Sequence, residues 1–183
     1  MTRRQRERSI AAVTLALSLC LLGGAHGQTV PDGDRGQLRV SAGVTGSGVT
    51  LQYGVRTMGG LTGFVDLDAR SPLGVELEGR WVELNQRANV HTETYSVGPR
   101  YHHSFGNLQA YGKGMVGFGD FNFPYDLARG RFFVVTVGGG LDLKVRRRLY
   151  VRAADVEYQC WPQFTYGAMS SFVVSAGLRV RVF

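Results

Sequence analysis

The stretch Ser170-Ser-Phe-Val-Val-Ser-Ala-Gly-Leu-Arg-Val-Arg-Val-Phe183 decides how the whole chain is read. Phe172, Val174, Ala176, Leu178, Val180 and Val182 share one parity, whereas Ser175, Gly177, Arg179 and Arg181 share the other. A period of two is the signature of a β-strand with two unlike faces. It does not say which face meets water, because a soluble barrel and a membrane barrel give the same alternation with inside and outside exchanged. The fold therefore turns on where Arg179 and Arg181 point.

Working outward, the same alternation recurs over roughly 37–46, 60–70, 74–84, 94–104, 108–119, 132–145, 149–160 and 170–183, which predicts eight strands. The connections alternate in length. "SPLG" near 71, "SFGN" near 104 and "VRRR" near 145 are short, while 47–59, 85–93, 120–131 and 161–169 are longer. Short turns at one end and long loops at the other are the pattern of an antiparallel up-and-down transmembrane barrel. A lipocalin-like soluble carrier has the same number of strands, but its loops need not sort by length.

Taking the more apolar parity as outward places Leu38, Val40, Ala42, Val44, Val65, Leu67, Val75, Leu77, Trp81, Tyr95, Val97, Tyr101, Val116, Phe118, Phe133, Val135, Val137, Leu141 and Leu143 against lipid. The inward parity then carries Arg39, Arg80, Arg100, Lys113, Lys144, Arg179 and Arg181 against Asp66, Asp68, Glu76, Glu78, Asp142, Asp155 and Glu157, a neutral set. Buried charges need partners, and an eight-stranded interior is just wide enough to be filled by side chains. A lumen plugged by ion pairs is the expectation, and a small conducting pore its rival. Arg152 and Asp155 have opposite parity in "LYVRAADVEYQCW", and a bulge near Ala153 and Ala154 would bring both inward.

Aromatic residues gather where strands give way to the longer loops: Phe118, Phe121, Phe123, Tyr125 and Phe133 around one, Tyr158, Trp161, Phe164 and Tyr166 around another. Amphipathic rings prefer the headgroup region, so these read as an interfacial girdle. Loops 120–131 and 161–169 are also the candidate contacts for an envelope or surface partner.

The ends suggest export. Arg3, Arg4, Arg6 and Arg8 precede an apolar run from Ile10 to Leu22, too short for a spanning helix of about 20 residues, and "AHG" at 25–27 offers small residues for cleavage. Residues 1–27 are read as a signal peptide, 28–36 as a short leader and 37–183 as the barrel domain. The formal charge of +7 falls to +4 once that segment is removed. Basic residues are then spread through the chain apart from Arg146–Arg148, so nucleic-acid binding is not expected. Cys160 is the one cysteine beyond the leader, leaving no internal disulfide. The 26 glycines, 10 phenylalanines and 8 tyrosines suit strands and turns rather than helices.

"GGGLDLKVRRRLYVRAADVEYQCWPQF", with Gly138–Gly140, Asp142, Arg152, Asp155, Glu157, Tyr158, Gln159 and Trp161, resembles the closing hairpin of the small outer-membrane β-barrels of Gram-negative bacteria, the OmpA-like and OmpX-like group. The resemblance covers about residues 37–183. It implies an outer-membrane location, a lipid environment and recognition by barrel-insertion machinery through a terminal aromatic, here Phe183. Phe183 follows Val182 directly, one residue out of the apolar parity that family members usually keep. Such barrels are scaffolds with diverse roles, so the resemblance speaks to location more than to activity.

Chemistry in the sequence is sparse. His102, Ser104 and a carboxylate such as Glu76 suggest a lipid-hydrolase arrangement, but adjacent strand residues face opposite sides and the segment falls at a short turn. His91, His102 and His103 lack zinc-site spacing, and "GFGDF" and "GGG" lack the helix that a phosphate loop needs. No cofactor, metal or enzymatic activity is expected.

Overall fold

In a computed structural model of the chain, residues 38–51, 57–69, 72–84, 91–122, 129–162 and 168–182 are described. The signal-peptide and leader assignments, Phe123, Tyr125, Phe164, Tyr166 and Phe183 lie outside them.

The described residues form eight antiparallel strands: β1 Arg39–Leu51, β2 Thr57–Asp68, β3 Leu73–Leu84, β4 His91–Phe105, β5 Leu108–Asn122, β6 Arg129–Lys144, β7 Leu149–Trp161 and β8 Met169–Arg181. Each pairs with its neighbours in sequence, and β8 returns to β1 through pairs running from Ser41 with Arg181 to Leu51 with Ser171, closing the barrel. Closure satisfies the backbone in the one way open to strands in hydrocarbon, since no edge is left unpaired.

The faces follow the alternation. Val44, Val65, Leu77, Tyr95, Val97, Val116, Phe118, Val137, Phe172, Val174, Leu178 and Val180 are exposed on the outside, while their neighbours of opposite parity are buried within. A continuous apolar exterior around a charged interior inverts a soluble barrel, and it is stable only where the surroundings are themselves apolar.

At one end lie the short connections, residues 69–72, 106–107 and 145–148, together with the starts of β1 and the end of β8. Gly106 takes φ 62°, the left-handed conformation that the two-residue link between β4 and β5 demands. The strands extend farther at the other end than the alternation suggested. β1 continues to Leu51, β4 starts at His91, β5 runs to Asn122, β6 starts at Arg129, β7 ends at Trp161 and β8 starts at Met169, so strands take up both ends of the expected loops 120–131 and 161–169. The ladder persists there because polar residues pair as well as apolar ones; Arg131 lies opposite Asp120 and bonds to it at 3.1 and 3.2 Å.

β7 carries the anticipated irregularity. Arg152 pairs with Gly177 and Asp155 with Ser175, so Ala153 and Ala154 together oppose Ala176. The extra residue reverses the parity, and Arg152 and Asp155 both turn inward, each buried.

Candidate functional site

The interior is filled in three levels. Nearest the short turns is an ionic network contributed by every strand except β1. Its cations are Arg80, Arg100, Lys113, Arg152 and Arg179, and its anions are Asp66, Asp68, Glu76, Glu78, Asp142, Asp155 and Glu157, all buried.

Lys113 is the hub of one half. Its ammonium lies 2.7 Å from Glu76, 3.0 Å from Glu78, 2.9 Å from Asp155 and 2.7 Å from Glu157. Among the described residues, Glu76, Glu78 and Asp155 alone are close enough to hold a metal ion, but the Lys113 ammonium already contacts all three carboxylates and occupies the place a cation would take, so the cluster does not fit a metal. Arg80 completes this half, 2.7 Å from both Glu78 and Glu157.

Arg152 joins the halves, lying 3.2 Å from Asp142 and Asp155 and 3.4 Å from Asp66 and Glu76. Arg100 reaches Asp142 at 3.0 Å and Asp68 at 3.4 Å. Arg179 answers the opening question. It points inward, 3.1 Å from Asp66 and 3.3 Å from Asp142, and it donates to the Gln109 side chain at 2.5 Å.

Aromatic rings separate the guanidinium groups. Arg152 lies 3.7 Å over Phe64 and 4.7 Å over Tyr111, Arg100 lies 4.2 Å over Tyr111, and Arg179 lies 4.5 Å over Tyr150. Such faces attract cations while excluding water. Gly43, inward on β1, leaves the space that the Phe64 ring occupies; a Cβ there would collide with it. Sequence reasoning missed Phe64, Tyr111 and Tyr150, although each sits on the charged parity of its own strand, where a ring is the available signal.

Above the charges lies a hydroxyl layer. Ser47 bonds to Thr62 at 2.6 Å and to Ser175 at 2.8 Å, and Arg80 donates to Thr62 at 2.9 Å. The third level, toward the long loops, is apolar. Val49, Met58, Val82 and Val173 form one cluster, Phe121, Val134, Trp161 and Met169 a second, and Leu51 packs against both.

Three expectations need correction. Arg39 and Lys144 are exposed at the short-turn rim and Arg181 is half-buried there, bonding the Tyr150 hydroxyl at 2.6 Å, because each lies at a strand end where the lumen opens. With Arg152 added, the buried set is five cations against seven carboxylates rather than a neutral seven and seven. Phe121 and Trp161 do not belong to the girdle: at 7% and 1% exposure they face the lumen, since their parity continues that of Lys113 and Glu157. Phe118, Phe133 and Tyr158 do face outward, with Phe118 against Phe133 at 6.1 Å and Tyr158 against Phe172 at 5.2 Å.

The imagined hydrolase residues are dispersed. His102 Nδ1 is 3.5 Å from Asp68, Ser104 accepts from Gln109 at 3.4 Å, and Glu76 is held by Lys113.

A closed eight-stranded barrel with an apolar exterior and a buried, ion-paired charge network inside defines the class: this is a transmembrane β-barrel protein. Its fold is similar to that of the crystal structure of Neisserial surface protein A, with a TM-score of 0.58 at 14% identity, over 81% of this chain and 99% of that one. The N-terminal β-barrel domain of Pseudomonas aeruginosa OprF is matched at 12% identity over 78% of this chain and 99% of that one, with a TM-score of 0.48. The outer membrane enzyme PagL is matched at 13% identity over 75% of this chain and 98% of that one, also at 0.48. At these identities the likeness is one of fold. No protein-family model matches the sequence, and no curated protein is similar to it.

Proposed function

We propose that the protein is a non-conducting, non-enzymatic barrel of the outer membrane, exported by a cleaved signal peptide, which anchors its long-loop end for contact with envelope or surface partners. The observation that carries this reading is the double closure of the lumen. Along the barrel axis an ion would meet first the charge network, where Arg152 and Lys113 bind carboxylates of β2, β3, β6 and β7, and then the apolar clusters around Trp161 and Val173. A filled interior leaves the exterior and the loops as the surfaces available for function. The Phe183 terminus supports assembly by barrel-insertion machinery, and segments 120–131 and 161–169 are the candidate partner contacts.

Two measurements test this. Cell fractionation is expected to find the protein in the outer membrane, extracted only by detergent; recovery in the soluble periplasmic fraction would favour a lipocalin-like carrier. Planar-bilayer recording of purified protein is expected to show no stable unitary openings, and regular openings would establish a small pore instead.

A further inference from the structure

Among the described residues, the short-turn rim carries an arc of cations with no carboxylate partner. Lys144 ends β6, Arg146, Arg147 and Arg148 form the turn to β7, Arg181 ends β8 and Arg39 begins β1. These positions are neighbours in space: Arg181 N–H donates to the Arg148 carbonyl at 2.8 Å, and Val182 N–H donates to that of Val40 at 2.8 Å. All but the half-buried Arg181 are exposed. Among the described residues none of the six enters an ion pair, and the acidic residues at this end, Asp68 and Asp142, are buried and taken by Arg100. Among the described residues, the exposed or half-exposed acids, Glu83, Glu93 and Asp120, are all at the opposite end.

We propose that this arc binds anionic phospholipid headgroups of the leaflet bordering the short turns, holding a preferred patch of acidic lipid beside β6, β7, β8 and β1. The inference rests on the membrane reading above. Depth selects lipid over a soluble partner. Lys144 lies between lipid-facing Leu143 and Val145, Arg181 between Val180 and Val182, and Arg39 between Leu38 and Val40. One residue of strand spans about 3.4 Å, so each of these cations sits at the boundary of the apolar band, where phosphate groups lie. Guanidinium groups suit that partner because their forked donors match phosphate oxygens. Among the described residues the arc covers half the rim, the ends of β6, β7, β8 and β1, so the bound lipid should be concentrated there.

The test uses the full mature chain in nanodiscs of phosphatidylglycerol and phosphatidylcholine mixed equally, with retained lipids counted by native mass spectrometry. A cation at an anionic surface favours the acidic lipid roughly fivefold. An enrichment of about that size is expected in the native protein, abolished by Lys144→Ser with Arg146→Ser, Arg147→Ser and Arg148→Ser, and unchanged by Arg131→Ser at the other rim. Should the quadruple variant fail to assemble, Arg147→Glu alone and a titration of the native protein to high salt read the same interaction, and both should lower the enrichment. Equal retention of the two lipids by the native protein overturns the proposal, as does enrichment that survives the variants and salt. Capture of soluble polyglutamate through the arc without lipid enrichment also overturns it, in favour of an acidic polypeptide. A chain that never enters the nanodisc refutes the membrane reading itself, an outcome distinct from insertion without lipid preference.

Discussion

Replacing Lys113 with Met tests whether the ionic network stabilises the barrel. The side chains are similar in length, so the perturbation removes the ammonium and little volume. Four carboxylates lose a partner within 3.0 Å. None is abandoned: Glu78 and Glu157 retain Arg80 at 2.7 Å, Asp155 retains Arg152 at 3.2 Å, and Glu76 retains Arg152 and Arg100 at 3.4 Å. Removing one partner of a buried pair costs about 3–5 kcal/mol. The remaining guanidinium groups place the loss at the lower end, about 3 kcal/mol, or roughly 150-fold in the folding equilibrium. Urea titration in lipid vesicles measures it through the fluorescence of the two tryptophans, Trp81 on the outside and Trp161 in the lumen. Neutralising one carboxylate as well, Glu78→Gln beside Lys113→Met, should recover part of the loss. An unfolding midpoint for Lys113→Met equal to that of the native protein would show that the network fills space without stabilising the fold.

Lys144→Met, at the exposed rim, should change the stability by less than about 0.5 kcal/mol, which urea titration can distinguish from the lumen variant. Trp161→Ala removes the largest side chain of the apolar level and should cost about 3–5 kcal/mol; because the ionic level remains, bilayer recording should still show no openings. Gly43→Val drives a side chain into the Phe64 ring and should destabilise by about 1–3 kcal/mol or more, with thermal unfolding in detergent as the readout. Deleting Phe183 should slow assembly in cells while leaving refolding of the purified chain in vesicles intact, and equal assembly rates in cells would remove its role as a signal.

The local pattern determined the strand number, the outward face of each strand, the sorting of the turns and the inward aim of Arg179, since a two-residue period and a charge that hydrocarbon will not accept are both properties of short segments. Even the shift in β7 was legible, because Arg152 and Asp155 could not both face inward without an extra residue between them. Other features depended on height along the barrel and on which strands meet across it, neither of which a single strand's alternation carries. Lys144 and Asp142 share a parity, yet Lys144 emerges at the rim while Asp142 is enclosed two residues below. Trp161 lies among residues that look like a girdle, but register places it over the lumen with Phe121, Val134 and Met169, contributed by β5, β6 and β8. The convergence of Glu76, Glu78, Asp155 and Glu157 on Lys113 brings together residues between 35 and 44 positions from it in the chain. Closure of the sheet brings them within reach of one ammonium, and their desolvation inside the barrel is what makes that meeting energetically consequential.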